Sequence, residues 1–149
     1  MRVTTWTEYS LLITLNLARN NTRPVPARAI AEEEDLPPDY TEQICLRLRR
    51  AGLVQSARGA KGGYMLAKDP GAITIRDVMT ACEGTTFALN CETHPVNPER
   101  CGPEASCSIR PVWRALRRRI DNLLASVTLA DLLKDESEVN ELVELGSGH

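Results

Sequence analysis

Aromatic side chains make up only 4% of this 149-residue chain: two tryptophans, three tyrosines and one phenylalanine. That scarcity counts against an all-β sandwich and against a surface that stacks unpaired bases on rings. Histidine is nearly as rare, at two residues, His94 and His149. With so few groups poised for proton transfer and no nucleophile motif, the chain is not expected to be an enzyme, and no small-molecule substrate is implied. No apolar run reaches the roughly 20 residues that span a bilayer, and Met1-Arg2-Val3 carries no secretory core. A cytoplasmic protein without a membrane partner is expected. Net charge is lacking too: 18 Lys and Arg against 20 Asp and Glu leave −2, which taken alone argues against a nucleic-acid partner.

What is present is unevenly distributed. Residues 43–68 hold Arg47, Arg49, Arg50, Arg58, Lys61 and Lys68 and no acid, a local +6. Residues 129–149 hold six acids against Lys134 alone, a local −5. The small total is a cancellation between a basic block and an acidic tail. With 42% hydrophobic and 26% charged residues, the length suits one globular domain plus an appendage.

Apolar periodicity predicts a mostly helical chain. Two adjoining rows, Tyr9, Leu12, Ile13, Leu17 and Leu11, Leu15, Ala18, describe a helix over 5–19 buried around most of its circumference. A short helix follows from Pro26 to about Glu34, then a break at Asp35-Leu36-Pro37. A third helix opens near Pro38-Asp39 and is expected to bury Tyr40, Ile44 and Leu48 while showing Asp39, Gln43, Arg47 and Arg50, until Ala51-Gly52 stops it. Leu53–Ala57 and Gly63–Ala67 around a glycine-flanked basic tip predict a β-hairpin. Ile73–Ala81 is a further helix stopped by Gly84, and 85–107 is an aperiodic loop. From Ser108 the stripe Val112, Leu116, Ile120, Leu123, Val127 predicts a rod of roughly 30 Å, longer than a small core needs. Thr128 caps a short helix over Leu129–Leu133, with Asp131 at the box position.

Helix, turn, helix and basic hairpin in that order describe a winged helix-turn-helix. The fold class is thus mainly α with a small β-wing, plus a long dimerisation helix. The expected division is a DNA-binding domain over 1–84, a cysteine-rich loop over 85–107, the dimerisation and short helices over 108–134, and a flexible acidic tail over 135–149. A recognition helix reads base edges in the major groove while phosphate contacts fix its register. Here Pro38, Asp39, Thr41, Glu42 and Gln43 form its N-terminal end, and Arg47, Arg49 and Arg50 suit phosphates. Arg58 and Lys61, at the wing tip, suit the narrow minor groove. Glu32-Glu33-Glu34 is expected to be a solvated run facing away from the nucleic acid.

Arg58-Gly59-Ala60-Lys61-Gly62-Gly63-Tyr64-Met65-Leu66-Ala67 closely resembles the wing of the IscR/NsrR family of bacterial winged-helix regulators with iron–sulfur clusters. The likeness extends to Tyr40–Ile44, Leu48–Val54, Ile73–Val78, the opening Met1–Thr4 and the helix start at Cys107–Leu116, and covers about residues 1–133. The resemblance implies a homodimer that binds palindromic double-stranded operators and usually represses.

Five cysteines are present, an odd number that does not read as a disulfide framework. Cys91, Cys101 and Cys107 stand as C-x9-C-x5-C in the loop, and thiolates are the usual ligands of iron–sulfur clusters. Cluster-bearing members of the family commonly have five residues in each gap, so the first gap here is four longer. In one branch a histidine three residues after the last cysteine completes the site; that position is Arg110, which cannot ligate. In the nitric-oxide-sensing branch an acidic residue near the N-terminus does so, and Glu8 matches it, although a carboxylate there also suits the helix dipole. Three cysteines and Glu8 thus imply a [4Fe–4S] cluster ahead of a [2Fe–2S] one, sensing redox state, nitric oxide or iron. Two alternatives stay open: zinc on the three cysteines with His94, and a metal-free thiol switch. Cys45 and Cys82 read as buried structural thiols.

Overall fold

A computed structural model describes residues 2–146; Met1 and the 147–149 end, including His149, lie outside the described residues. Helix α1 (Thr5–Arg19) starts where the Thr4 side chain accepts from the Thr7 N–H. It buries Ile13 and Leu17 completely, together with Thr7, Ser10, Thr14 and Asn16. The hydroxyls of Ser10 and Thr14 donate to carbonyls one turn back, so these polar groups enter the core already satisfied. Helix α3 (Pro38–Arg50) packs on both α1 and helix α2 (Ala27–Glu33). Between them Asp35 takes φ 53°, the only non-glycine positive φ among the described residues, and the Leu36 N–H donates to the Ala31 carbonyl at 2.8 Å. An aspartate tolerates that left-handed turn, which sets α3 across α2.

Strands β1 (Val54–Ala57) and β2 (Gly63–Leu66) pair antiparallel, Val54 opposite Leu66 and Ala57 opposite Gly63. The hairpin has an anchor that periodicity does not announce. Val25 and Tyr64 exchange both backbone hydrogen bonds at 2.8 Å, tying the wing to the segment before α2. Gly63 makes this approach possible: it sits at φ 147°, and a Cβ there would lie 2.3 Å from the Val25 carbonyl carbon.

Helix α4 (Ile75–Glu83) opens on a reciprocal capping box between Thr74 and Asp77 and ends at Gly84 in the left-handed conformation. Loop 85–107 is not featureless, since single helical turns α5 (Asn90–Thr93) and α6 (Pro98–Cys101) form within it. Helix α7 (Arg110–Ser126) is the long rod. Helix α8 (Leu129–Leu132), capped by Thr128 and Asp131, then returns the chain to the first domain. Thr74 bridges Thr128, and Leu129 is fully buried in the same core as Ile13, Ile44 and Val78. Helix α8 thus adds a C-terminal plug to the core formed by α1–α4 and the hairpin.

Two expectations are corrected. Over 135–146 the structure has a helix, α9 (Glu136–Leu145), where a flexible tail is expected. Asp135 and Glu138 form a third capping box, and a cap with carboxylates in the first turn stabilises a helix whose acidity alone reads as disorder. In α3 the buried set is Thr41, Ile44, Cys45 and Leu48, while Tyr40 is half exposed and meets Trp6 edge-on at 5.2 Å.

Candidate nucleic-acid interface and cysteine loop

The N-terminal end of α3 is open. Pro38, Asp39 and Gln43 are exposed, and Pro38, having no N–H, removes one donor that a helix start would leave unpaired. Thr41 does not belong with them: it is fully buried and its hydroxyl donates to the Pro37 carbonyl at 3.0 Å, which takes it out of the base-reading set. Glu42 is exposed but engaged, accepting from the Tyr64 hydroxyl at 2.7 Å. That bond joins the recognition helix to the wing. Burial, then the Glu42 carboxylate, pushes the Tyr64 phenol up to about 12.

The arginines of α3 divide. Arg47 places its guanidinium 4.3 Å from the centre of the Trp6 ring and donates to the Cys82 carbonyl at 2.5 Å. It clamps α3 to α1 and α4. Arg49 reaches Ser56 on the wing at 3.4 Å. Arg50, Arg58 and Lys61 are exposed and have no ion pair or side-chain hydrogen bond among the described residues. At the wing tip the Gly62 N–H donates to the Gly59 carbonyl at 3.0 Å, and a Cβ on Gly62 would meet the Ala57 carbonyl oxygen at 2.3 Å. The two glycines thus hold Arg58 and Lys61 on a tight projecting turn.

The acidic run preceding α3 has work of its own. The buried Asn16 amide donates to Glu33 and Glu34 at 2.8 and 3.0 Å, Arg19 pairs with Glu34 at 2.5 Å, and Arg28 pairs with Glu32. Two of the three glutamates brace α2 against α1 and are not merely solvated.

The five thiols fall into two groups. Cys45 and Cys82 are 0% and 2% exposed, and burial pushes the Cys45 thiol up to about 12 and raises that of Cys82. Cys91, Cys101 and Cys107 are half-buried and free. Cys91 opens on a cavity of about 500 Å³ lined by Phe87, Leu89, Trp113 and Leu116. Backbone N–H groups of Arg110 and Ile109 hold the Cys107 thiol below its ordinary value.

Two side chains hold this loop to α7: Arg110, noted in the sequence only as unable to ligate, and Glu92, which the sequence does not single out. Arg110 donates to the carbonyls of Cys101, Gly102 and Pro103 at 3.1, 2.8 and 3.4 Å. Glu92 bridges Arg117 at 2.7 Å and Arg114 at 3.6 Å, and the Arg117 guanidinium lowers its carboxyl. Glu8 is exposed on the first turn of α1. Among the described residues no three His, Cys, Asp or Glu side chains converge on a point that could hold a metal. The donor chemistry, three accessible soft thiols within one loop, fits an iron–sulfur cluster; a single chain does not gather them together, nor with Glu8 or His94.

The match to known proteins covers both halves. Residues 3–135 match the family model Rrf2, described as an iron-dependent transcriptional regulator. The chain is 34% identical to the HTH-type transcriptional regulator IscR of Klebsiella pneumoniae, over 91% of its own length and 82% of that protein's, and 36% identical to IscR of Yersinia enterocolitica over 91% and 81%. Among solved structures it is similar to IscR of T. potens, with a TM-score of 0.72 and 33% identity over 93% of this chain and 90% of that one. It is also similar to CymR, the global cysteine regulator of B. subtilis, with a TM-score of 0.70 and 33% identity over 91% and 99%.

Proposed function

Because the chain belongs to the Rrf2 family and is a DNA-binding transcriptional regulator rather than an enzyme, we propose that it acts as a homodimeric, cytoplasmic repressor of palindromic operators whose loop thiols carry an iron–sulfur cluster. Three features support the DNA-binding half of the reading: the open end of α3, the free cations of the wing tip, and the bonds from Glu42 to Tyr64 and from Val25 to Tyr64 that fix wing and helix relative to each other. Pro38, Asp39 and Gln43 read bases; Arg50, Arg58 and Lys61 meet the backbone or the minor groove.

The observation that carries the cluster reading is the partition of the thiols. The two outside the loop are sealed in the core, and the three within it are the accessible ones. Cys91, Cys101 and Cys107 would hold the cluster, with Glu8 as the oxygen ligand, [4Fe–4S] being favoured over [2Fe–2S]. Such a group supplies a centre that oxygen, nitric oxide or iron scarcity can dismantle. This chain's residues do the rest. Arg110 and Glu92 tie the loop to the start and middle of α7, so the state of the loop bears on the rod that spaces the two recognition helices. Half-sites one helical turn apart make DNA affinity sensitive to that spacing.

A metal-free thiol switch is the second reading, supported by the likeness to CymR, the global cysteine regulator of B. subtilis. Anaerobic purification separates the two. The cluster reading expects coloured protein with matching iron and acid-labile sulfide, lost in Cys91→Ser, Cys101→Ser and Cys107→Ser and kept in Cys82→Ala; Glu8→Ala shortens its lifetime in air. Colourless protein without metal would favour the switch, and one zinc per chain would assign the same thiols to zinc.

A further inference from the structure

At the C-terminal end of α3, remote from its base-reading end, lies an open cleft of about 800 Å³ walled by α3, α4, the segment 84–86 and α7. Four cations and two carboxylates line it: Arg47, Arg50, Lys68 and Arg76 against Asp77 and Asp121. Both carboxylates are committed. Asp77 accepts from the Thr74 N–H at 2.9 Å within the α4 cap, and Asp121 accepts from the Thr86 hydroxyl. Arg47 is committed as well, to Trp6 and the Cys82 carbonyl. Arg50, Lys68 and Arg76 have neither an ion pair nor a side-chain hydrogen bond among the described residues.

Three unpaired cations brought from three separate elements to one concavity are unusual. Exposed basic side chains ordinarily diverge into water, whereas protein walls on either side concentrate their field and draw in anions. The volume is in the range of small-ligand sites, roughly 300–1,000 Å³. Two guanidinium groups among the three favour oxyanions that accept paired hydrogen bonds, above all phosphate and carboxylate. Lys68, just after β2, and Arg76, on α4, belong neither to α3 nor to the wing tip, so of the three cations only Arg50 is shared with the proposed DNA contacts.

We propose that this cleft is a binding site for a small multivalent oxyanion carrying phosphate or carboxylate groups, held by Arg50, Lys68 and Arg76. An anion there would join α3, α4 and the segment after β2, and none of its three cations lies in the cysteine loop, so it stands or falls apart from the cluster.

The test is calorimetric titration of inorganic pyrophosphate, and separately citrate, into the full chain at constant ionic strength, with matched sodium chloride as the blank. One saturable site per chain is expected, weakened at least tenfold in Arg76→Gln and again in Arg76→Gln/Lys68→Gln, with Arg76→Lys retaining much of the affinity. DNA affinity and its salt dependence in these variants should match those of the unaltered protein. Heats no larger than the blank for both anions, or affinity indifferent to Arg76 and Lys68, would overturn the assignment. So would a DNA-binding salt slope reduced by about 1 in the variants, which would give the cations to the nucleic-acid backbone.

Discussion

Arg47 and Arg58 carry the same charge and do different things. Arg47 spends its guanidinium on the Trp6 face and the Cys82 carbonyl, while Arg58 projects from the wing tip without a partner among the described residues. Arg47→Ala is therefore expected to lower stability by about 1–2 kcal/mol, the combined scale of a partly desolvated cation–π contact and one hydrogen bond, and to leave the salt slope of DNA binding unchanged. Arg58→Ala should leave stability alone and reduce that slope by about 1, one phosphate contact fewer. Denaturant titration and DNA binding at three or four salt concentrations read both. The sequence places both arginines in one basic block, because periodicity reports which side of a helix a residue occupies and not which distant ring waits there. Thr41 misleads in the same way: its spacing is that of an exposed cap position, and only its hydroxyl bond to Pro37 reveals it as core.

The thiols make a second prediction at this scale. With metal removed, Cys91, Cys101 and Cys107 should react with iodoacetamide at pH 8 in the folded protein, and Cys45 and Cys82 only on unfolding. Burial keeps Cys45 protonated up to about 12, so little thiolate forms at pH 8. Backbone donors lower Cys107, so it should label first as pH is raised from 6. Peptide mapping of the labelled protein checks the order; fast labelling of Cys45 would contradict the burial described for it.

Among the elements, α8 carries more weight than its four residues suggest. Leu129 is fully buried between α1 and the turn before α4, and the Ile75 N–H donates to the Val127 carbonyl at 3.0 Å. Leu129→Ala should cost about 2–4 kcal/mol and destabilise the DNA-binding domain itself, although that residue lies beyond the long rod in sequence. Asp131 holds the same plug in place. The Thr128 N–H and hydroxyl depress its carboxyl, so its contribution is present above the ordinary aspartate range and lost as pH falls through the lower folded value. Thermal unfolding at pH 7 and pH 3 compares the two conditions. The start of α8 is legible because its capping box is local, Thr128 and Asp131 lying three residues apart, whereas the box of Thr74 and Asp77 goes unread and the expected start of α4 falls two residues early, at Ile73. The return of α8 and the pairing of Val25 with Tyr64 are not legible, since both are contacts between distant segments. Helix α9 was hidden for a different reason: its charge reads as solvation, while its cap at Asp135 is what decides its form.

For the whole molecule, the rod matters most. No residue of α7 is fully buried, and Val112, Trp113 and Leu123 are 60%, 43% and 44% exposed, an apolar stripe about 16 Å long on a rod of about 25 Å. A single chain also offers one recognition helix, and an operator of two half-sites needs two. Leu123→Asp with Val112→Glu should convert a dimer to monomers on light scattering and weaken operator binding by 100-fold or more, through loss of the linked second half-site. The net charge of −2 hides a chain in which a basic block, a thiol loop and an acidic stretch follow one another along the sequence.

The central claim, that the loop thiols govern DNA affinity through an iron–sulfur cluster, is tested most directly by one titration. Anaerobically purified protein is bound to a duplex it has itself selected from a random library, before and after cluster removal by nitric oxide or air, with iron and sulfide measured on the same samples. A fall in affinity of at least tenfold is expected, tracking iron loss and absent when Cys101→Ser protein is treated in the same way. An affinity that does not change as the iron is lost would contradict it.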